Sequence, residues 1–255
     1  MKKIFLFYLC VFFLCTNISF ATNITIPDLN SSSINSWYGD QEDQEVEPGM
    51  ARSQAWDLEG FFVNGTVLSL VGGYDFKNGA GSFYSGDIFI DITGDAVYGD
   101  KNGTSNGNRK VKNSFGYNYV LDLDWKKLTY DLYEINEDSN VLTAYYKQNQ
   151  GSSPWRYDSA GELISKNNKF DYITGLTDEQ TGFLGGKHNQ LSMDLSFLNT
   201  LTGNTRTDFT VHYTMECGND NIMGHGTIPN PEPATMLLLG FGLIGIAGIS
   251  RRIKS

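Results

Sequence analysis

Short runs of alternating apolar and polar residues recur along the middle of this 255-residue chain, separated by clusters of Gly, Asn and Asp. Alternation with a period of two places successive side chains on opposite faces of a β-strand. We therefore expect Leu121, Leu123 and Trp125 on one face, and Asp122 and Asp124 on the other. The turn-forming clusters follow at intervals of about 8 to 15 residues, which is typical of sandwiches and barrels. The pattern predicts an all-β fold, an antiparallel β-sandwich.

The alternation is plainest over residues 209–217, where every second side chain is apolar. The apolar positions of this predicted half-buried strand are Phe209, Val211, Tyr213, Met215 and Cys217. Cys217 has no cysteine partner once residues 1–21 are removed, so it is interpreted as a small buried apolar residue. A reactive or intermolecular thiol is the alternative. Outside the two ends, a short helix is expected only around residues 195–201.

The N-terminal end has the features of an export signal. Lys2 and Lys3 form a short positive region, residues 4–15 are apolar, and residues 19–21 have the small-x-small form of a signal-peptidase site. Residues 1–21 are therefore predicted to be a signal peptide that signal peptidase removes by cleavage after Ala21.

The C-terminal end combines a short motif, an apolar run and a basic tip. The uncharged run 234–250 sits at the lower limit of roughly 17 residues that a helix needs to cross a bilayer. It predicts a single transmembrane helix, with a buried helix of a soluble core as the alternative. The basic tip 251–254 is expected to stay in the cytoplasm. The flanking motif residues are Pro231, Glu232, Pro233, Arg251 and Arg252.

Pro-Glu-Pro, an apolar segment and an Arg-Arg tip, in this order, resemble the PEP-CTERM sorting signal of Gram-negative bacteria. In that family an exosortase, a transpeptidase-like membrane protease, reads the tail and releases or transfers the ectodomain. The resemblance implies an inner-membrane precursor that is processed to the cell surface or to an exopolysaccharide, biofilm-type matrix. It identifies the chain as a substrate of sorting, with signal peptidase and exosortase as processing partners.

Four stretches of the middle region are similar to the ectodomain of one β-sandwich group of PEP-CTERM proteins. They are residues 56–63, 68–73, 85–92 and 214–220. Their order is also distantly similar to that of the DOMON and family 9 carbohydrate-binding sandwiches. The second likeness concerns the fold alone and implies no ligand.

The ends and the composition divide the chain into four parts. After the signal, residues 22–54 are polar and strongly acidic and predict a flexible leader, with a first strand near Ile24 or Ile34. Residues 55–228 form the predicted sandwich, and residues 229–255 form the sorting signal. Residues 22–230 hold 14 basic and 28 acidic side chains, a net charge of −14, which disfavours nucleic-acid binding.

Several aspartates surround one predicted strand end and the loop after it. Carboxylates and loop carbonyls could supply the six to eight oxygens of a structural Ca²⁺ site there, although the loop does not match the EF-hand pattern. Turn capping and a solvated strand face are the alternative. No other cofactor is expected. The candidate ligands are Asp87, Asp91, Asp95, Asp100 and Asn102.

Four aromatic residues lie in or beside polar loop sequence and are candidates for contact with a glycan. They are Tyr145, Tyr146, Trp155 and Tyr157. Exposed aromatic rings are the platforms on which sugar rings stack, whereas a hydrophobic plug under a loop is the competing interpretation.

No residue set predicts catalysis. Residues 103–107 match Gly-x-Ser-x-Gly, but no apolar strand precedes them, so a solvated loop is expected. His188, His212 and His225 lack metal spacing and are interpreted as exposed polar positions. The favoured function is a non-catalytic structural or adhesive surface protein. A glycan-binding module is the main alternative and a secreted glycan-acting hydrolase the third.

Overall fold

The structure is a computed structural model that describes residues 21–27, 42–47, 49–97, 99 and 105–229. The strands are β1 (Thr22–Asn23), β2 (Thr25–Ile26), β3 (Leu58–Asn64), β4 (Val67–Gly72), β5 (Ile88–Asp91), β6 (Lys110–Lys112), β7 (Tyr119–Asp124), β8 (Thr129–Glu134), β9 (Asn140–Leu142), β10 (Arg156–Ser159), β11 (Glu162–Lys169), β12 (Asp171–Leu176), β13 (His188–Asp194), β14 (Arg206–Thr214) and β15 (Asn221–Pro229). The helices are α1 (Asp178–Thr181) and α2 (Phe197–Thr202), and two 3-10 turns span Gln54–Trp56 and Lys147–Ser152.

Two large sheets dominate the structure. One has five strands in the order β1-β3-β4-β13-β12, and the other has seven in the order β11-β8-β7-β5-β14-β15-β2. The strand pairings in both sheets are antiparallel. The mostly β architecture predicted from the alternation is confirmed, as is a short helix near residues 195–201.

The main hydrophobic core lies between the two large sheets. Phe61 and Leu70 enter it from the five-stranded sheet, and Ile90, Leu121 and Val211 enter it from the seven-stranded sheet. Each such side chain, once buried, contributes roughly 1.5–3 kcal/mol of transfer free energy. This shared core makes the pair of sheets a sandwich.

Both predicted strand faces are found in this core. Leu121 and Leu123 are buried in it and Trp125 packs against it, while Asp122 and Asp124 are half-buried on the opposite face. All five apolar positions predicted for residues 209–217 also belong to it. The period of two therefore assigned these side chains to the correct face.

A small third sheet, in the order β10-β9-β6, covers part of the outer face of the seven-stranded sheet. A second buried cluster fills the space between them and includes Phe89, Val120 and Val141. Strand β5 is consequently buried on both faces, with Ile88 and Ile90 in the main core and Phe89 in the second cluster. The sequence did not predict this third layer.

The described parts of residues 22–54 pack against the sandwich, in contrast to the flexible leader that was expected. β1 pairs with β3 and β2 pairs with β15, so the expected strand near Ile24 adds an edge to each large sheet. Further along, Val46 is fully buried and the backbone N–H of Glu47 donates to the carbonyl of Asn219 at 3.1 Å. Backbone pairing and the apolar side chains of Ile24 and Val46 hold the described parts of this polar sequence in place.

In the described ranges, no helix combines the length and the apolar character that crossing a bilayer would require. The predicted transmembrane segment 234–250, the sorting motif around it and residues 1–20 of the signal lie outside those ranges. Ala21, the predicted cleavage position, is exposed just before β1.

Candidate functional site

The first of the predicted calcium ligands, Asp87, is buried and holds two other strands. Its Oδ1 accepts the backbone N–H of Leu123 at 3.0 Å, and its Oδ2 accepts that of Tyr157 at 2.9 Å. Burial, and then the charge of Asp122, raise the pKa of Asp87 to about 7. This carboxyl therefore ties the small third sheet and β7 to the start of β5.

Asp91 and Asp95 lie at the turn that follows β5. The Asp91 carboxylate accepts the backbone N–H groups of Thr93 at 2.7 Å and of Ala96 at 3.0 Å, while Asp95 is exposed. These contacts are those of turn capping. Asp100 and Asn102 fall outside the described residues. A calcium site on this loop stays a prediction.

Two of the four predicted glycan-contact residues, Trp155 and Tyr157, lie directly before and within β10 of the small third sheet. Trp155 is only 3% exposed, so the expectation of an exposed ring there was wrong, because the flanking polar sequence enters a strand that packs on another sheet. Tyr157 is half-buried, with its ring 4.7 Å from that of Tyr133. Its hydroxyl accepts the backbone N–H of Gly161 at 3.0 Å.

The other two predicted aromatics, Tyr145 and Tyr146, pack with Phe83, and the exposed Tyr84 follows Phe83 in the chain. We name these four residues, Phe83, Tyr84, Tyr145 and Tyr146, the tyrosine patch. The ring of Phe83 lies 5.5 Å from that of Tyr145 and 5.3 Å from that of Tyr146. Tyr145 is 36% exposed and Tyr84 is 65% exposed. Phe83 and Tyr84 were missed in the sequence because the contact joins residues about 60 positions apart.

Glu216 supplies the polar edge of the tyrosine patch. Its backbone N–H donates to the carbonyl of Tyr84 at 2.9 Å, and its carbonyl accepts the N–H of Tyr145 at 2.7 Å. Its carboxylate accepts the N–H of Tyr84 at 3.1 Å and the side-chain amide of the exposed Asn108 at 2.7 Å. Exposed rings beside amide and carboxylate groups offer both an apolar surface and hydrogen-bonding groups to a ligand.

A second group consists of acidic side chains that are largely buried. We name it the carboxylate cluster, made of Asp43, Asp57, Glu59 and Asp220. One carboxylate oxygen from each of Asp43, Asp57 and Glu59 lies within 4.8 Å of the others. Asp57, Glu59 and Asp220 are buried, and Asp43 is half-buried.

Three separate parts of the chain bring the carboxylate cluster together. Asp43 lies in the acidic segment 42–47, Asp57 precedes β3, and Asp220 lies in the turn between β14 and β15. Glu59 is the extra residue where the register between β3 and β4 shifts. A bulge of this kind redirects a side chain and is common beside functional sites.

Each member of the carboxylate cluster accepts at least one hydrogen bond. Oδ2 of Asp57 accepts the N–H of Gln44 at 3.1 Å, and Oδ2 of Asp220 accepts that of Leu58 at 2.7 Å. Oε1 of Glu59 accepts the side-chain amide of Gln54 at 2.6 Å, and Asp43 accepts the N–H of Leu184 at 3.1 Å. Oδ1 of Asp57 and Oδ1 of Asp220 have no hydrogen-bond partner among the residues that the structure describes.

Burial disfavours the charged form of these groups. It raises the pKa of Asp57 to about 9, with the charge of Glu59 as the second cause, and raises that of Glu59 to about 8. The pKa of Asp220 lies well above its usual range because of burial first and then the charges of Glu45 and Asp57.

His188 borders the carboxylate cluster and is fully buried, so the expectation of an exposed position was wrong. Its Nδ1 lies 2.7 Å from Glu59, and its Nε2 lies 2.9 Å from Asp178, which a capping box at Thr177 holds at the start of α1. Since carboxylates occupy both ring nitrogens, neither nitrogen is left to activate a nucleophile.

The other two histidines differ from each other. His212 is also buried, contrary to expectation, and its Nε2 donates to the carbonyl of Pro154 at 3.0 Å. Burial lowers the pKa of His212 to about 4. His225 is exposed, as predicted. Cys217 is buried, as predicted for an apolar residue, and burial raises the pKa of its thiol to about 12.

Comparison with known proteins locates one recognised feature. Residues 231–252 match the family described as the PEP-CTERM protein-sorting motif, and this span includes Pro231, Glu232, Pro233, Arg251 and Arg252. Neither the curated proteins nor the solved structures contain a match to the chain, so the likeness to DOMON and family 9 sandwiches has no support. The chain therefore carries a PEP-CTERM protein-sorting motif, which implies an exported protein that an exosortase processes.

Proposed function

We propose that this protein is a non-catalytic structural or adhesive component of the cell surface or of an exopolysaccharide matrix. The observation that carries the proposal is the sorting motif at residues 231–252, which follows directly on the last strand of a β-sandwich. In this proposal the inner membrane holds the precursor until an exosortase processes it. The sandwich is then the part that is delivered.

The histidine environments support a role without catalysis. Carboxylates occupy both ring nitrogens of His188, and His212 is buried with a pKa of about 4. A general base needs a nitrogen that can reach a substrate and that has a pKa near the working pH. Neither histidine meets both requirements.

Replacement of the motif tests the sorting step. We expect that changing Pro231, Glu232 and Pro233 to alanine leaves an unprocessed, membrane-held form in cells that possess an exosortase, because the protease loses its recognition sequence. Pro229→Ala, a change outside the matched span, is the control and should be processed normally. Mass spectrometry of the mature protein measures the outcome. An intact tail on the wild-type protein in such cells would refute the processing step.

The tyrosine patch favours a second candidate, a glycan-binding module. Tyr84 and Tyr145 are exposed, and their backbones bond to Glu216, whose carboxylate also accepts the side-chain amide of Asn108. The apolar C–H face of a pyranose ring can pack on the electron-rich face of an aromatic ring, while its hydroxyls bond to neighbouring polar groups. Trp155 is not part of this surface because it is buried.

Binding of the full-length protein to purified exopolysaccharide tests the second candidate. Tyr84→Ala and Tyr145→Ala should each weaken retention by roughly 2- to 10-fold, corresponding to about 0.5–1.5 kcal/mol per lost ring contact. Tyr84→Phe keeps the ring and should retain binding. Equal retention of the wild type and both alanine variants would exclude the patch, and no retention of the wild type would exclude the module.

A further inference from the structure

The carboxylate cluster lies where the acidic segment 42–47 meets the sandwich. Asp57 accepts a hydrogen bond from the backbone of Gln44, and Asp43 accepts one from the backbone of Leu184. The cluster thus joins the segment to the start of β3 on one side and to the loop before β13 on the other. Whatever stabilises the cluster also stabilises this junction.

Two oxygens of the cluster lack the partners that buried polar atoms normally have. Asp57 and Asp220 are almost completely buried, and the Oδ1 atom of each accepts no hydrogen bond within the described part of the chain. A buried acceptor without a partner costs about 1–3 kcal/mol, and more if it is charged. Both atoms are therefore positioned to accept an additional positively charged or hydrogen-bonding partner.

Carboxylates dominate the charges around the cluster, and His188, which contacts Glu59, is a basic group that acts on Asp43. The neighbouring charges that act on Asp220 are those of Glu45, Asp57 and Glu42, and those that act on Asp57 are Glu59 and Asp43. Burying several carboxylates together is unfavourable unless they are protonated or share a cation. Protonation neutralises one group at a time, whereas a divalent cation offsets two charges and supplies a partner for several oxygens.

We propose that the carboxylate cluster binds one Ca²⁺ ion, with Asp43, Asp57 and Glu59 supplying ligand oxygens and Asp220 supplying further negative charge beside them. Three converging carboxylates, one of them with a free buried oxygen, carry this assignment. The site is distinct from the loop after β5 that the sequence suggested. It goes beyond the proposed surface function, because it concerns how the acidic segment is held.

The chemical type of the ligand atoms favours calcium over other common cations. The donors at the cluster are hard oxygens, from the three carboxylates and from the amide of Gln54, whose buried Oε1 has no partner among the described residues. Both nitrogens of His188 are bonded to Glu59 and Asp178. Hard oxygen donors favour Ca²⁺ or Mg²⁺ over softer metals, and Ca²⁺ accepts irregular sites that mix protein ligands with water. Calcium sites of extracellular modules typically have Kd values of about 10⁻⁴–10⁻³ M.

Calcium binding by the full-length protein, purified in detergent and stripped with EDTA, tests the proposal. Equilibrium dialysis with labelled calcium and isothermal titration measure the number of ions and the affinity. Asp57→Asn should remove one bound ion per chain, and Asp43→Asn should weaken that site about tenfold or more, since affinity follows the number of charged ligands. Excess Mg²⁺ should compete poorly.

The control variant is Asp171→Asn, which changes an exposed aspartate of β12 and should leave the ion count unchanged. The proposal is overturned if the folded wild type binds no calcium, or if Asp57→Asn retains the full ion count. It is equally overturned if Asp171→Asn loses the ion while Asp57→Asn keeps it. If Asp57→Asn does not fold, the affinity of the half-buried Asp43→Asn decides.

Discussion

At the scale of single residues, burial decides what the polar side chains of this protein do. Asp87, just before β5, and His212, on β14, belong to segments whose sequence alternates like a half-solvated strand, yet both are buried. Asp87 accepts from the backbone of Tyr157 in β10, and His212 donates to the carbonyl of Pro154, two residues before that strand. These residues, which were expected at the surface, instead form buried hydrogen bonds. Burial raises the pKa of Asp87 and lowers that of His212.

The lowered pKa of His212 predicts that the folded protein loses stability in mild acid. Its pKa is about 4 in the folded protein against an ordinary value of 6.5, so the unfolded chain takes up the proton first. The contribution of His212 is fully present above about pH 6.5 and is lost as the pH falls through 4, a total of roughly 3 kcal/mol.

Unfolding by denaturant between pH 4 and pH 7.5 measures this effect. His212→Gln keeps an amide donor for the carbonyl of Pro154 and does not titrate, so its stability should fall less over that range than that of the wild type. His225→Gln, an exposed control, should follow the wild type. Parallel pH profiles for the wild type and His212→Gln would contradict the prediction.

At the scale of elements, the small third sheet adds a third layer to the sandwich. It covers the outer face of β5 and β7, and it converts Trp155 from a predicted surface ring into a buried one. The backbone of Trp155 also connects layers, because its carbonyl accepts the N–H of Asp87 at 2.8 Å and its N–H donates to Leu142 at 3.0 Å. We therefore expect this sheet to unfold together with the sandwich.

Trp155→Ala should destabilise the protein by about 3–5 kcal/mol, the usual cost of deleting a buried large aromatic side chain. Leu184→Ala, at a position that is 58% exposed, is the control and should change stability by about 0.5 kcal/mol or less. Chemical denaturation gives both free energies of unfolding. A similar small effect for the two variants would show that Trp155 is not part of a packed layer.

At the scale of the whole molecule, the acidic segment 42–47 is part of the fold. The carboxylate cluster lies at its junction with the sandwich, and the pKa values of Asp57 and Glu59 are raised to about 9 and about 8. A raised carboxyl pKa means that the folded protein holds protons that the unfolded chain has already lost. The junction is therefore sensitive to alkaline conditions and to cations.

In EDTA, stability should decrease as the pH rises from about 5 to about 9. The contribution of Asp57 and Glu59 is fully present below about pH 4 and is lost as the pH rises through 8 and 9. Asp57→Asn should flatten this decrease, and Ca²⁺ should raise the Tm of the wild type most at the alkaline end. Thermal unfolding followed by circular dichroism provides the measurement. A wild-type Tm that rises between pH 6 and pH 9 in EDTA would contradict the prediction.

The sequence by itself determined the strand faces and the sorting motif. Alternation placed Leu121 and Leu123 in the core, and the Pro-Glu-Pro motif with its basic tip identified the sorting signal, because both depend only on residues close together in the chain. Only the tertiary structure showed which residues come together in the candidate sites. Asp220 reaches the N–H of Leu58 across 162 positions, and His188 reaches Glu59 across 129. A local pattern tells which face a side chain occupies, but long-range pairing decides what covers that face.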